Sequence, residues 1–302
     1  MLAALVVVPL FLTLAGTASP QSLMTSRDLL ALPQPPADHT VAYGPGPWRF
    51  GELSLPKGPG PHPVVVFIHG GCWHTPWALD HARSLCSAFV GEGLAVWNLE
   101  YRRLGDDGGG WPGTFEDVAA GADHLRVLAG RFPLDLGQVV AVGHSAGGHL
   151  ALWLAGRHRL PVGSPLRGGD PLPLKGVVSL AGIPNLRDGA RRQVCGHAIE
   201  RLLGAPSPGW EERMALASPA ELLPLGARQR QVCGDKDAIV PPDLAIAYEA
   251  VAQMKGDDVT SVVVAGAGHF ELVNPASVAW PAVRAAVRSL LGLPVAAPVE
   301  TR

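Results

Sequence analysis

The chain has 302 residues, of which 47% are apolar and 17% are charged, and its formal net charge is −2. The apolar share is large enough for a sizeable core, which excludes a disordered or collagen-like chain. The near-zero charge, with no basic run, argues against nucleic acid or an anionic membrane surface as the main partner. This length allows two domains, but one large α/β domain fits equally well.

Residues 1–23 are predicted to lie outside the folded domain. Leu2–Ala15 is almost continuously apolar but contains Pro9 and is shorter than the ~20 residues of a spanning helix, so no stable membrane span is expected. Small residues around Ala18 suit cleavage of an export signal, which would place the protein in the periplasm or outside the cell. Alternatively, Met24 is the true start and the protein is cytoplasmic, and both interpretations stay open.

The rest of the chain follows an α/β pattern. Residues 24–38 are expected to be an extended, proline-containing lead-in, and residues 39–292 one domain with a tail at 293–302. The domain opens with a hairpin, His39–Tyr43 and Arg49–Leu55, around a Gly-Pro-Gly-Pro turn. The later predicted strands are Val64–Ile68, Ala95–Leu99, Val139–Gly143, Gly176–Leu180, Arg228–Cys233 and Ser261–Val264.

Helical segments separate these strands. The predicted helices are Trp77–Val90, Phe115–Gly130, Ala146–Arg157, Asp243–Met254 and Ser277–Leu291. Alternating strands and helices predict a mostly parallel central sheet with helices on both faces. Residues 182–226 break this rhythm with only short helical pieces, His197–Leu203 and Trp210–Ala217. We expect this segment to be a small cap-like insertion over a ligand pocket, with a plain surface excursion as the alternative.

The four cysteines contain no Cys-x-x-Cys pair, which is the starting motif of zinc ribbons and thioredoxin-type sites. In a chain of this length they do not form a disulfide scaffold. We therefore expect small, mostly buried apolar side chains at Cys72, Cys86, Cys195 and Cys233.

The strongest chemical motif is Gly143–Gly147, which reads Gly-His-Ser-Ala-Gly and matches the Gly-x-Ser-x-Gly pattern. An apolar strand ends at its first glycine and an apolar helix begins directly after the serine. Such a sharp turn needs small flanking residues and pushes the Ser145 hydroxyl out above the sheet, beside a helix N-terminus. We predict that Ser145 is a nucleophile rather than a simple helix cap.

A serine nucleophile needs a base and an acid that orients the base. His269 lies among small residues on the loop after a late strand, and Asp237 lies on the loop after the preceding strand. Asp235 is the reserve choice for the acid. The order Ser145, Asp237, His269 along the chain is that of the α/β-hydrolase fold.

The developing oxyanion needs backbone N–H donors. His69–Trp73 follows the first buried strand, and its two glycines leave the backbone free of side-chain obstruction. The predicted donors are Gly71, Cys72 and Ala146, the residue after the nucleophile, while His69 is expected to brace the loop. Trp73 and Trp111 are either pocket walls or core residues, and His144 is a further pocket candidate.

Four segments, His69–Trp73, Asn98–Arg102, Trp111–Asp117 and Gly143–His149, together resemble bacterial α/β-hydrolases of the esterase/lipase superfamily. The likeness is nearest to the branch of feruloyl/acetyl esterase-like proteins and kynurenine formamidases and covers about residues 40–292. The resemblance implies the α/β-hydrolase fold, a small-molecule ester or amide as substrate, and neither a metal nor an organic cofactor.

The preferred function is hydrolysis of carboxylic esters through an acyl-enzyme. The same residues cleave amides, so an arylformamidase is the alternative. A non-catalytic binding protein on this fold is a further hypothesis. A metal hydrolase using His74, Asp80 and His81 is the least favoured, because their spacing matches no common ligand set. The oligomeric state stays open.

Overall fold

The computed structural model describes residues 22–204 and 207–294. The possible export signal at 1–23 and the predicted tail at 293–302 therefore lie almost entirely outside the described residues. Among the helices of the described ranges, none is both long enough and apolar enough to cross a membrane.

Eight strands form one sheet with the spatial order β1-β2-β4-β3-β5-β6-β7-β8. They are β1 (His39–Ala42), β2 (Phe50–Ser54), β3 (His62–Ile68), β4 (Ala95–Leu99), β5 (Leu134–His144), β6 (Gly176–Leu180), β7 (Arg228–Gly234) and β8 (Val259–Val264). Strands β1 and β2 form the predicted antiparallel hairpin, and β2 is also antiparallel to β4. All pairings from β4 to β8 are parallel, which confirms the mostly parallel sheet.

The described residues contain ten α-helices. They are α1 (Ser26–Leu30), α2 (Arg83–Gly91), α3 (Gly113–Asp123), α4 (Leu125–Ala129), α5 (Ala146–Gly156), α6 (Leu186–Arg191), α7 (Ala198–Leu203), α8 (Trp210–Ala217), α9 (Asp243–Met254) and α10 (Trp280–Leu290). The single helix predicted over residues 115–130 is divided into α3 and α4. The helix predicted from Trp77 instead begins as a short 3-10 turn at Leu79–Ala82 that leads into α2.

The core lies on both faces of the central strands. Every residue of β4 and β6 is buried, which requires cover on both sides and explains why each strand has only one polar side chain, Asn98 and Ser179 respectively. Helices α2 and α10 pack against each other through Phe89 and Trp280, whose rings are 5.5 Å apart. Helices α3 and α5 pack through Phe115 and Trp153 at 5.0 Å. The α/β-hydrolase architecture predicted from the sequence is therefore confirmed.

The predicted lead-in is not extended throughout, because α1 forms within it. The Thr25 hydroxyl accepts a hydrogen bond from the Asp28 N–H, and the Asp28 carboxylate accepts one from the Thr25 N–H. This reciprocal capping satisfies two N–H groups that a helix start otherwise leaves free. The expectation of an extended segment was therefore wrong over Ser26–Leu30, although the Thr-x-x-Asp signal for this helix was present in the sequence.

Candidate active site

Ser145 occupies the sharp turn between β5 and α5. Its backbone has φ +55° and ψ −121°, a strained conformation for a residue with a side chain, of the kind that is concentrated at functional sites. The Ser145 N–H donates to the Leu180 carbonyl at 2.8 Å, which fixes the turn against the end of β6. The serine thus stands at the carboxyl edge of the sheet, where the sequence placed it.

The glycines of the Gly-x-Ser-x-Gly motif are required by close backbone approaches. A Cβ atom on Gly143 would lie 2.0 Å from the Gly147 carbonyl oxygen, and one on Gly147 would lie 2.0 Å from the Ile68 carbonyl oxygen. Neither contact can be relieved by rotating a side chain, because the obstructing atoms belong to the backbone. The motif therefore allows α5 to start directly against β3 and β5.

His269 and Asp237 form a buried pair on neighbouring loops. Asp237 lies on the loop after β7, His269 on the loop after β8, and His269 Nδ1 is 2.7 Å from Asp237 Oδ2. The other oxygen of Asp237 accepts the N–H groups of Ile239 and Val240, each at 2.8 Å. The carboxylate is therefore held by three contacts in an orientation that fixes the imidazole ring.

Gly234, the last residue of β7, lets these two loops approach each other. A Cβ atom at this position would lie 2.2 Å from the Ala267 carbonyl oxygen. Asp235, the reserve choice for the acid, instead accepts the Gly266 N–H at 2.7 Å and contacts Lys236 at 3.2 Å. It fastens the turn and does not face His269 in the way that Asp237 does.

His144 supports His269 from behind. His144 Nε2 lies 3.0 Å from the His269 carbonyl oxygen, and the two rings are 4.5 Å apart. Complete burial and the adjacent His269 hold the pKa of His144 well below its ordinary value. The ring is therefore neutral near neutral pH, and the nitrogen that faces the carbonyl carries the proton and donates it.

The loop after β3 follows an unusual backbone path. Gly71, Cys72 and Trp73 have φ values of +111°, +52° and +57°. A Cβ atom on Gly71 would also lie 2.2 Å from the Trp77 side chain. Both the positive φ and the lack of space therefore require a glycine at this position. In the described part of the chain, the N–H groups of Gly71, Cys72 and Ala146 donate to no protein acceptor.

A buried network behind this loop holds it in place. His69 Nε2 lies 2.9 Å from the Glu100 carboxylate, and its ring stacks on Tyr101 with centroids 4.3 Å apart. The Tyr101 hydroxyl donates to the His69 carbonyl at 2.9 Å. These contacts agree with the bracing role expected for His69.

Two cysteines are paired, contrary to the expectation of four separate buried side chains. Cys72 and Cys195, which are 123 positions apart in the sequence, form a disulfide with their Cα atoms 5.7 Å apart, whereas Cys86 and Cys233 are free and buried as predicted. The pairing depends on the fold bringing the two ends of a long loop together, so sequence spacing carried no signal for it. It links the loop after β3 to the segment 182–226.

Ser145, His269, Gly71 and Cys72 meet at one pocket of about 130 Å³. The remaining lining residues are Leu29, Trp77, His81, His144, Ile239 and Phe270. The pocket membership of His144 was predicted, whereas Leu29, Trp77, Ile239 and Phe270 were missed. Phe270 directly follows the proposed base and could have been found from that position, but no motif marks Leu29.

Neither of the two tryptophans that were expected to be pocket walls or core residues lines this pocket. Trp73 is 0% exposed and packs edge-on against His149 with ring centroids 5.3 Å apart, so it is a core residue. The Trp111 ring packs against Phe115, and the Trp111 backbone N–H donates to the Leu202 carbonyl at 2.7 Å. Trp111 thus attaches α7 to the domain and is not among the residues that line the pocket.

The residues of the metal hypothesis do not form a ligand set. His74 lies 3.4 Å from an Arg201 guanidinium nitrogen, and Asp80 caps the His81 N–H at 2.8 Å. Burial and the nearby His69 lower the pKa of His81 to about 3. Across residues 22–204 and 207–294, no group of three or more His, Cys, Asp or Glu side chains is arranged to hold a metal ion.

Comparisons with known proteins agree with this architecture. The family model described as BD-FAE matches residues 52–250. A truncated carbohydrate esterase from gut microbiota superposes with a TM-score of 0.70 and 22% identity, over 85% of this chain and 99% of that one. Esterase B from Lactobacillus rhamnosis superposes with a TM-score of 0.71 and 19% identity, over 88% of this chain and 89% of that one. A bacterial heroin esterase superposes with a TM-score of 0.65 and 21% identity, over 80% of this chain and 78% of that one. No curated protein is similar enough in sequence to count as a match.

The sheet order and the serine turn define an α/β-hydrolase. Because the family model covers more than half of its length, the chain belongs to the BD-FAE family.

Proposed function

We propose that the protein hydrolyses carboxylic esters with Ser145 as nucleophile, His269 as general base and Asp237 as the group that orients His269. The observation that carries this proposal is the Asp237–His269 pair at 2.7 Å, with His269 lining the same pocket as Ser145. The names of the similar structures, which are esterases, favour an ester over an amide as the substrate.

The first half of the reaction forms an acyl-enzyme. The Ser145 oxygen attacks the carbonyl carbon of the ester while His269 takes the hydroxyl proton. The negative charge that develops on the carbonyl oxygen is bound by the N–H groups of Gly71, Cys72 and Ala146, which have no other protein acceptor among the described residues. His269 then gives the proton to the departing alcohol, and the bond between acyl carbon and alcohol oxygen breaks.

The second half uses water in place of the alcohol. His269 takes a proton from the water molecule, whose oxygen attacks the acyl carbon, and the proton returns to Ser145 as the acid leaves. Asp237 keeps the proton on Nδ1 of His269, so that Nε2 is free to accept from Ser145 and from water. This division of roles follows from the 2.7 Å contact on the Nδ1 side.

We further propose that segment 182–226 is a cap beside the site, as expected from the sequence. The disulfide from Cys195 in this segment to Cys72 in the pocket wall supports it. So does the contact of Arg201 with His74 on the loop after β3.

The proposal is tested with short-chain nitrophenyl esters and the purified protein. Ser145→Ala should lower kcat on the order of 10⁴-fold or more with an unchanged thermal unfolding midpoint, because the nucleophile is lost and the fold is kept. A formylated aromatic amine in the same panel tests the amide alternative. If Ser145→Ala retained more than a few per cent of the wild-type turnover, the nucleophile would be elsewhere.

A further inference from the structure

The N-terminal segment of the described chain is attached to the loop that carries His269. The Met24 N–H donates to one oxygen of the Glu271 carboxylate at 2.6 Å, and the Gly268 N–H donates to the other at 3.0 Å. Glu271 is buried, and a Cβ atom on Gly268 would lie 3.5 Å from the Leu23 side chain. One buried carboxylate therefore joins the N-terminal segment to the residue next to His269.

Helix α1 follows this attachment and presents one side chain to the catalytic pocket. Leu29 is 1% exposed and lines the pocket with Ser145 and His269. Leu30, the next residue of the same helix, is 54% exposed and is not among the pocket residues. The helix is held in register by the reciprocal Thr25–Asp28 cap.

The pocket that Leu29 lines is small, and no carboxylate, lysine or arginine is among its lining residues. Large apolar side chains from four different segments contribute to its wall: Leu29, Trp77, Ile239 and Phe270. His81 also lines it, with a pKa of about 3 because of burial and the nearby His69, so it is neutral near neutral pH. A dry cavity of roughly 150 Å³ holds one benzene molecule, so a pocket of about 130 Å³ takes a short uncharged group.

We propose that Leu29 of α1 is a specificity-determining residue that limits the length of the substrate group entering this pocket. The inference rests on the proposed ester hydrolysis, since it concerns the substrate of the same site. The segment that precedes the α/β-hydrolase sheet thus supplies a wall of the active site. The Glu271 carboxylate, which binds both Met24 and Gly268, fixes the position of that segment relative to His269.

The test compares Leu29→Ala with Leu30→Ala, which removes the same atoms from the adjacent, exposed position. One substrate series keeps the nitrophenyl leaving group and extends the acyl chain from acetate to octanoate. A second series keeps the acetyl group and extends the alcohol. Wild-type kcat/KM should fall with length in the series whose varied group occupies the pocket. Leu29→Ala should raise the ratio of long to short substrates there by about tenfold or more.

A second variant protects the test against a simple loss of folding. Leu29→Phe fills the pocket further and should shift the preference in the opposite direction, towards acetate. Thermal unfolding midpoints of all variants separate instability from a change of specificity, because instability lowers the measured kcat/KM of every substrate by the same factor.

The failures are distinguishable. If wild type and Ser145→Ala hydrolyse every ester equally, or not at all, the proposed function is wrong and the inference falls with it. If turnover depends on Ser145 but the length profiles of Leu29→Ala, Leu29→Phe and Leu30→Ala coincide in both series, the inference alone is overturned.

Discussion

At the scale of single residues, Asp237 and Asp235 lie two positions apart yet have different surroundings. Asp237 contacts His269 at 2.7 Å and has a fully buried side chain, whereas Asp235 accepts a backbone N–H and contacts a lysine. Asp237→Asn should lower kcat on the order of 10⁴-fold, because an amide that donates to Nδ1 favours the wrong tautomer of His269. Asp235→Asn should lower kcat by less than about tenfold. Steady-state kinetics on one nitrophenyl ester measures both, and the reverse ranking would make Asp235 the acid.

A second residue-scale prediction concerns His149, which is buried and lies 2.9 Å from the Ala217 carbonyl oxygen. Burial lowers its pKa from 6.5 to about 4. Between these values the unfolded chain binds a proton that the folded chain does not, so stability falls as pH falls. The window runs from about pH 6.5 down to about pH 4. From pH 7 to pH 5 this residue should remove on the order of 2 kcal/mol from the free energy of unfolding.

The measurement is urea unfolding of wild type and His149→Gln at both pH values. The variant should be less stable at pH 7 but should lose about 2 kcal/mol less than wild type on going to pH 5. Equal losses in the two proteins would mean that His149 does not titrate in this window.

At the scale of elements, the disulfide between Cys72 and Cys195 joins the loop that carries the proposed oxyanion donors Gly71 and Cys72 to the segment 182–226. Cys195→Ala should lower the free energy of unfolding by about 2–4 kcal/mol, because the unfolded chain regains the freedom of a long loop. It should also lower kcat, because without the bond to Cys195 the loop that positions the Cys72 N–H is less constrained.

Two controls belong to this prediction. A dithiol reductant should lower the unfolding midpoint of wild type but not of Cys195→Ala, which has no bond to reduce. Cys86→Ala removes a free buried thiol and should leave kcat unchanged. If Cys195→Ala matches wild type in both stability and kcat, the bond has no role in holding the loop.

The elements that the sequence predicted well are those whose environment is uniform along their length. Strands β4 and β6 are buried at every residue, so their mostly apolar sequences located them at the bounds that the structure shows. Helix α1 has five residues and little apolar content of its own, and only its Thr25–Asp28 cap marked it. The disulfide was missed because its two cysteines are far apart in the sequence and come together only through the tertiary fold.

At the scale of the whole molecule, the site is assembled where parallel strands end. The loops after β3, β5, β7 and β8 bring the proposed oxyanion donors, Ser145, Asp237 and His269 to the same edge of the sheet, which is where ligands bind in open α/β folds. Chain order and strand ends therefore sufficed to predict where these residues lie in the fold. The apolar walls could not be predicted, because Leu29 and Ile239 come from segments without a motif and reach the pocket only through tertiary packing.

The central claim is that Ser145 is the nucleophile, and covalent labelling with a fluorophosphonate tests it most directly. The serine oxygen would form a bond to phosphorus as fluoride leaves and His269 takes the proton. Intact mass and peptide mapping should show one adduct per chain, on the peptide that contains Ser145, with none on Ser145→Ala and slower labelling of Asp237→Asn. An adduct on another residue, or wild-type labelling of Ser145→Ala, would contradict the account.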